Sequence, residues 1–306
     1  MVDSMGADEN QARLVAVPTG ASELLPGVYL FTPPVSDAAP CIFDVPRSGR
    51  EYPPGFHTAA PFNDVHFLVS HYVEEIWGLA PQFGNGLLYA LFVNNYIDAN
   101  RAEDDIDPAL LTGAWPFALR PTTKSTKNGM GLIHSRVRSH QLYPDGLSVD
   151  EVKRRIEGYW RPYHRKLAEL IQAHRARAGV AFHVSCHCMG TIAPQGAFNA
   201  GKRRADFCLG DRDGTTSSPE FVDTIASALR RRGFTVSFND AFKGAESVRL
   251  HGNRAGGVHS VQIEVIKELF MDEESFARKP DFVQFQRDLG IVAAEIADYA
   301  RSKAKA

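Results

Sequence analysis

The sequence predicts an α/β protein in which helices cover both faces of a central sheet. Short apolar or β-branched runs, typical of buried strands, alternate with longer segments of helical periodicity. Of the 306 residues, 44% are hydrophobic and 23% are charged, which is the composition of a globular protein with ample material for a core. No repeat or low-complexity linker divides the chain. We therefore expect a loose lead-in over residues 1–25 and a single domain over residues 26–306.

Five segments carry the strand pattern, since each is short and rich in apolar or β-branched residues. They are residues 41–45, 87–93, 180–186, 234–238 and 259–265. In open α/β sheets, ligands bind at the carboxyl ends of the strands, so the residues at and after these ends are the first candidates for a site.

Three helices have readable ends. Ser148 and Glu151 form a capping box that opens a long helix, with a bend or interruption at Pro162. Ser218 is the N-cap of a second helix, in front of a proline suited to the first turn. The amphipathic pattern over residues 282–300 predicts a C-terminal helix.

The charge balance narrows the classes of partner. The formal charge is −2, from 34 basic and 36 acidic residues, so there is no electrostatic signature of nucleic-acid binding and no polybasic membrane patch. No apolar run approaches the roughly 18–20 residues of a spanning helix, and the acidic, polar start is not a secretory signal. Four cysteines do not make a disulfide framework in a chain of this length. We expect a cytoplasmic protein that binds neither nucleic acid nor membranes, with the oligomeric state left open.

Two arginines follow predicted strands. Arg47 stands in a turn between Pro46 and Gly49, where the simpler interpretation is a surface arginine. Arg101 stands beside the Asn100 amide, where a planar guanidinium suits a bidentate clamp on a substrate carboxylate. A surface charge cluster is the alternative for this second segment.

His187 lies at the end of a predicted strand. Side chains alternate along a strand, so Cys186 and Cys188 point away from His187, which argues against a metal shared by all three. A zinc ligand and a buried core histidine both remain open for His187.

Glu264 is the best catalytic candidate among the acidic residues. Period two places Gln262 and Glu264 on one face of a predominantly apolar strand. A carboxylate on such a strand is costly to bury unless it is paired, metal-linked or lining a cleft. An ion-paired structural glutamate is the alternative.

Taken together, these segments resemble the N-formylglutamate amidohydrolases, from about Pro40 to Asp272. Nine or so segments in the right order are far more specific than any one of them. They are PRSGREYP at 46–53, YIDANRAEDDID at 96–107, GLIHS at 131–135, RRIEGYWRPYH at 154–164, SCHCM at 185–189, ADFCLGDRDGTT at 205–216, FNDAFKG at 238–244, and HSVQIE through LFMDE at 259–273.

The resemblance implies a fold, a reaction and residue roles. The fold is a three-layer αβα sandwich around a mixed sheet of about eight strands, similar to the zinc carboxypeptidases. Family members cut the N-acyl amide of glutamate and release formate, with a zinc ion that activates water and a glutamate that relays protons. The resemblance assigns His187 as a metal ligand, Glu264 as the general base, and Asn100 and Arg101 to the substrate.

The departures from the family pattern fall on the metal site. Arg47 replaces the histidine of Pro-His-Ser-Gly, and Ser70 falls where the family has a metal-binding acid. An arginine cannot ligate zinc, and its charge repels the ion. Either His66, one helical turn before Ser70 and near Asp64, rebuilds a zinc site with His187, or no metal is bound and Arg47 takes its place as a positive charge facing the substrate.

Two functions therefore stay open. The first is an amidohydrolase acting on a small acidic N-acyl amino acid such as N-formylglutamate, by metal-activated water with Glu264 as base. The second is a metal-free carboxylate-binding protein or an inactive relative of the family. The retained polar residues after the strands favour the enzyme, whereas Arg47 and Ser70 favour the second function.

Overall fold

The computed structural model describes residues 21–35, 37–195 and 199–305. An eight-stranded sheet in the order β1-β2-β4-β3-β7-β10-β8-β9 forms its centre, and β5 and β6 form a separate hairpin. The strands are β1 Glu23–Leu25, β2 Tyr29–Thr32, β3 Cys41–Val45, β4 Gly86–Ala90, β5 Arg136–Val137, β6 His140–Gln141, β7 Ala181–Met189, β8 Phe207–Gly210, β9 Val236–Phe238 and β10 Val258–Ile266.

The sheet is mixed, as the resemblance implies. Its centre is parallel, because β3 pairs in parallel with both β4 and β7, and β7 pairs in parallel with β10. Strands β2 and β8 run antiparallel to their inner neighbours β4 and β10. The chain runs outward from β3 to β4 and then returns across β3 to β7, so a topological switch point lies between β3 and β7. Such a point is the usual place for a ligand in an open α/β sheet.

Eight α-helices are found in the described part of the chain: α1 Phe62–Phe67, α2 Val73–Ile76, α3 Lys124–Lys127, α4 Val149–Arg155, α5 Arg161–Ala178, α6 Pro219–Arg231, α7 Glu246–His251 and α8 Phe282–Lys303. The interruption predicted at Pro162 is a π-helical turn over Ile156–Trp160, which ends where α5 begins. The Ser218 hydroxyl accepts from the Phe221 amide, which confirms that N-cap.

Helices lie on both faces of the sheet. On one face α2, α6 and α8 pack with Phe43, Val184 and Ile263 in one apolar core. On the other face α4 and α5 pack with Ile42 and Leu88 in a second core. Neighbouring strand residues such as Ile42 and Phe43 thus enter opposite cores, as the period of two requires. The described residues form three layers, with the sheet in the middle.

Several predicted boundaries are wrong. Residues 23–25 belong to an edge strand paired with β2, so the lead-in predicted to end at residue 25 is too long; residues 1–20 lie outside the described residues. Strand β7 extends to Met189, so His187 lies inside the strand. Only half of the capping box forms, because Ser148 accepts from the Glu151 amide while the Glu151 carboxylate binds Arg155. No described helix has the length and apolarity to cross a membrane.

Candidate active site

Arg47 leaves the sheet directly after β3 and turns inward. Its Nε lies 3.3 Å from Oδ2 of Asp98, and 17% of its side chain is exposed, so the interpretation as a surface arginine is wrong. The following Gly49 makes this turn possible, since a Cβ there would lie 2.2 Å from the carbonyl oxygen of Phe92. The close contact with the chain after β4 fixes Arg47 beside the segment that holds Asp98.

Asp98 is the charged residue around which the site is built. The carboxylate is fully buried. It accepts from Nε2 of His134 at 3.1 Å and from the backbone N–H of Asn100 at 2.9 Å. Burial by itself would raise the pKa of Asp98, but Arg47, Arg101 and His134 together hold it well below its ordinary value. Asp98 is therefore an anion at neutral pH, paired with Arg47 and stabilised by the charge of Arg101. Sequence reasoning missed Asp98 and His134, although both stand in segments that carry the family resemblance.

The Asn100 side chain connects three parts of the chain. Its Oδ1 accepts from the Ser247 amide at 3.0 Å, so its Nδ2 must be the atom that lies 3.1 Å from Nε2 of His187 and donates to it. Because both polar atoms of the Asn100 side chain contact protein groups, Asn100 orients His187 in this structure. Contact between Asn100 and a substrate stays a prediction.

The Arg101 guanidinium is anchored on one side only. Its Nε donates to the Met130 carbonyl at 2.8 Å and its Nη1 to the Asn100 carbonyl at 3.0 Å. The indole of Trp160 fixes the backbone by donating to the Arg101 carbonyl at 2.9 Å. Nη2 makes no hydrogen bond to the described residues and remains available to an anionic ligand.

His187 is a buried, neutral imidazole. Burial lowers its pKa to about 3, and the charges of Arg47 and Arg101 act in the same direction. Because Asn100 donates to Nε2, the ring proton belongs on Nδ1, and the Ser185 hydroxyl lies 3.1 Å from the same Nε2. The lone pair that a metal would use at Nε2 is already engaged.

Glu264 lies beside His187 in the register of β7 and β10. Its side chain is buried, and Oε1 accepts from Nε2 of Gln262 at 2.8 Å. Burial raises the pKa of Glu264 to about 8, although Arg47 and Gln262 oppose the rise. A carboxyl group with such a pKa is mostly protonated at neutral pH and exchanges a proton near it, as a group in acid–base catalysis must.

The shared helical face predicted for His66 and Ser70 is wrong. In a continued helix the Ser70 amide would donate to the His66 carbonyl, but it donates to the Arg47 carbonyl at 3.0 Å, and α1 ends at Phe67. Nδ1 of His66 lies 3.0 Å from the Tyr52 hydroxyl. The ring of His66 also packs on aromatic rings nearby, at Phe62, His71 and Phe276.

The residues present do not fit a zinc ion. Asp64, the further candidate ligand near His66, pairs with Arg138 and His140, each at 2.8 Å. Within the ranges that the structure describes, no three His, Cys, Asp or Glu side chains are grouped so that they could hold a metal ion. The structure brings together Arg47, Arg101, His187 and Glu264 from the predicted set, and it places His66 in a separate aromatic cluster.

Comparison with known proteins gives a consistent result. The N-formylglutamate amidohydrolase family profile matches residues 39–271. The N-formylglutamate deformylase of Pseudomonas putida is 27% identical over 217 residues, which are 70% of this chain and 74% of that protein. The crystal structure of an N-formylglutamate amidohydrolase from Ralstonia eutropha JMP134 is 37% identical, with a TM-score of 0.85 over 90% of this chain and 99% of that one. A gene product of Agrobacterium tumefaciens, 18% identical with a TM-score of 0.61 over 86% of this chain and 91% of its own, shares the fold.

The matched residues run from the start of β3 through the end of β10. They therefore include both arginines, His187, Glu264 and every strand that brings these residues to one edge of the sheet. The profile, the curated relative and the Ralstonia structure all point to one group of hydrolases, and the chain belongs to the N-formylglutamate amidohydrolase family.

Proposed function

We propose that this chain hydrolyses the N-acyl amide of a small acidic amino acid such as N-formylglutamate. One observation carries the proposal: Glu264 lies beside His187 near the carboxyl ends of β10 and β7, and the contact of Asn100 with His187 brings the neighbouring Arg101 to the same site. A cation for a carboxylate and a proton-transfer group are the parts that hydrolysis of an acidic amide requires. Family membership supports the same reaction class.

Arg101 is the group that we assign to a substrate carboxylate. Its Nη2 is unpaired within the described residues, while Nε and Nη1 are held by backbone carbonyls. A guanidinium oriented in this way loses little side-chain entropy when it binds an anion. Arg47, which pairs with Asp98, supplies a second positive charge to the same ligand.

Glu264 is the group that we assign to proton transfer. As a carboxylate it takes a proton from the attacking water, whose oxygen forms a bond to the acyl carbon. The carbon–nitrogen bond then breaks, and the same proton passes from Glu264 to the departing amine. With N-formylglutamate the products are formate and glutamate, and Glu264 returns to its starting state.

We also propose that the fold is similar to that of the zinc carboxypeptidases. The mixed eight-stranded sheet with helices on both faces supports this.

Formate release from N-formyl-L-glutamate tests the proposed reaction. The matched controls are N-formyl-L-glutamine and the α-amide of N-formyl-L-glutamate, each of which lacks one of the two carboxylates and is otherwise similar in size. We expect release from N-formylglutamate and a marked loss with at least one monoamide, which also identifies the carboxylate that Arg101 holds. Equal turnover of all three compounds would contradict the assignment of Arg101.

A second candidate function is binding of acidic ligands without turnover. It is favoured by the replacement of two expected metal ligands with Arg47 and Ser70. Calorimetric titration with N-formylglutamate distinguishes the two functions, because the second requires saturable binding with no formate released.

A further inference from the structure

We propose that the Arg47 guanidinium takes the place of the family's metal ion, so that the site binds no zinc and Arg47 provides the positive charge for the substrate's acyl oxygen. The inference rests on the proposed function for its chemistry, but its claim about metal binding stands on the geometry alone.

The positions of the two replaced ligands are still next to each other. Although 23 residues separate them in the sequence, the Ser70 amide donates to the Arg47 carbonyl at 3.0 Å. Arg47 and Ser70 are therefore adjacent, and the charge of Arg47 acts on the buried His187, the remaining expected ligand.

The charges around Arg47 favour an arginine over a divalent ion. Arg47 is held at 3.3 Å from the buried Asp98 carboxylate, which His134 and the Asn100 amide also bind. The Arg47 charge acts on His187, Glu264 and Arg101 alike. A divalent ion would add two positive charges beside a guanidinium that cannot lose its proton, and neither Arg47 nor Ser70 offers the ion a strong ligand.

His187, the third expected ligand, is no better placed to bind the ion. Binding through Nε2 of His187 would break the hydrogen bond from Asn100, whose orientation the Ser247 amide fixes. Binding through Nδ1 would need the ring proton to move. Each change leaves a buried polar group without its partner, which opposes binding of the ion.

Arg47 has the donors that the reaction needs. Its Nε lies towards Asp98, while its terminal nitrogens make no hydrogen bond to the described residues. Aimed at the acyl oxygen, these N–H groups stabilise the negative charge that develops when water attacks. A single donor of this kind is worth about 10²–10³ in rate.

Zinc titration of the chelator-treated protein, followed by calorimetry, tests the inference without any substrate. We expect no stoichiometric binding by the wild type. The combined Arg47→His and Ser70→Asp variant should bind one zinc per chain, at least about 100-fold more tightly. Stoichiometric zinc in the wild type that His187→Ala abolishes would overturn the inference. So would a folded double variant, checked by circular dichroism, that binds no zinc.

Two activity measurements complete the test. Hydrolysis by the wild type should be unaffected by EDTA and by added zinc, and inhibition by EDTA that zinc reverses would overturn the inference. Arg47→Lys, which keeps the charge, should retain more activity than the similarly sized Arg47→Met; equal loss in both variants would contradict a role for the charge. If no acyl amino acid is hydrolysed, the proposed function fails, while the zinc titration still decides the metal question.

Discussion

Replacing Glu264 by glutamine should stabilise the folded protein and at the same time remove its turnover. Burial raises the pKa of this carboxyl group to about 8, against 4.5 for the exposed group. At neutral pH the unfolded chain carries a carboxylate there, whereas the folded chain carries the protonated acid. Folding must therefore take up a proton, and this uptake becomes more costly as the pH rises from 4.5 to 8.

The size of the effect follows from that difference. Each pH unit above 4.5 lowers the free energy of unfolding of the wild type by about 1.4 kcal/mol. The loss is about 3 kcal/mol at pH 7 and about 1 kcal/mol at pH 5. Glutamine resembles the protonated acid in size, and its Oε1 can accept from Gln262 as the carboxyl oxygen does. The variant avoids the cost at every pH, but it cannot take a proton from water.

Urea denaturation of both proteins between pH 5 and pH 8 measures the difference directly. The free energy of unfolding of Glu264→Gln should exceed that of the wild type by about 3 kcal/mol at pH 7, and the excess should shrink as the pH falls towards 4.5. Formate release should drop about 10²–10⁴-fold. A variant less stable at pH 7, or an excess that does not change with pH, would refute the reasoning about the buried carboxyl. Turnover within a few fold of wild type would place the base elsewhere.

Three further predictions address other parts of the molecule. Arg101→Ala should weaken N-formylglutamate binding by about 2–5 kcal/mol in calorimetry, because a desolvated charged contact is lost; unchanged affinity would assign the carboxylate to another group. Gly49→Ala should lower the free energy of unfolding, measured by urea denaturation, by about 3 kcal/mol or more, since its Cβ would lie 2.2 Å from the Phe92 carbonyl oxygen. The matched control Gly55→Ala, whose Cβ meets nothing within 4 Å, should be nearly neutral, and equal costs would be inconsistent with the steric argument. Burial lowers the pKa of His164 from 6.5 to about 4. Between these pH values the unfolded chain binds a proton at His164 and the folded chain does not, so the free energy of unfolding should fall as the pH drops from 6.5 towards 4. His164→Gln should make that fall less steep, and parallel pH profiles for the two proteins would count against this origin of the acid sensitivity.

The correct sequence-based predictions concern features that neighbouring residues decide. The strand predicted over 41–45 is β3, because Cys41, Phe43 and Val45 enter one apolar core and Ile42 enters the other. The Ser148 and Ser218 caps form because a hydroxyl reaches an amide three residues ahead, whatever surrounds it. Such signals act within one turn or one strand and are therefore readable without a fold.

The incorrect predictions concern features that distant residues decide. His66 was expected to share a helical face with Ser70, but the Arg47 carbonyl takes the Ser70 amide and the helix ends first. The Glu151 carboxylate was expected to complete a capping box, but the buried Arg155 binds it instead. In both cases a tertiary contact satisfies a group that the local pattern had assigned to a neighbour.

The sequence by itself determined the fold class and the family resemblance, because periodicity and motif order are properties of the chain, and it gave Arg47, Arg101, His187 and Glu264 as candidates. Tertiary structure alone decided what these residues face and how they are charged. Asp98 meets Arg47 only because β3 and β4 are adjacent in the sheet, and Glu264 is protonated at neutral pH only because the folded chain removes water from it. Burial and electrostatic coupling depend on which groups surround an atom in space, and that arrangement exists only after the strands have paired.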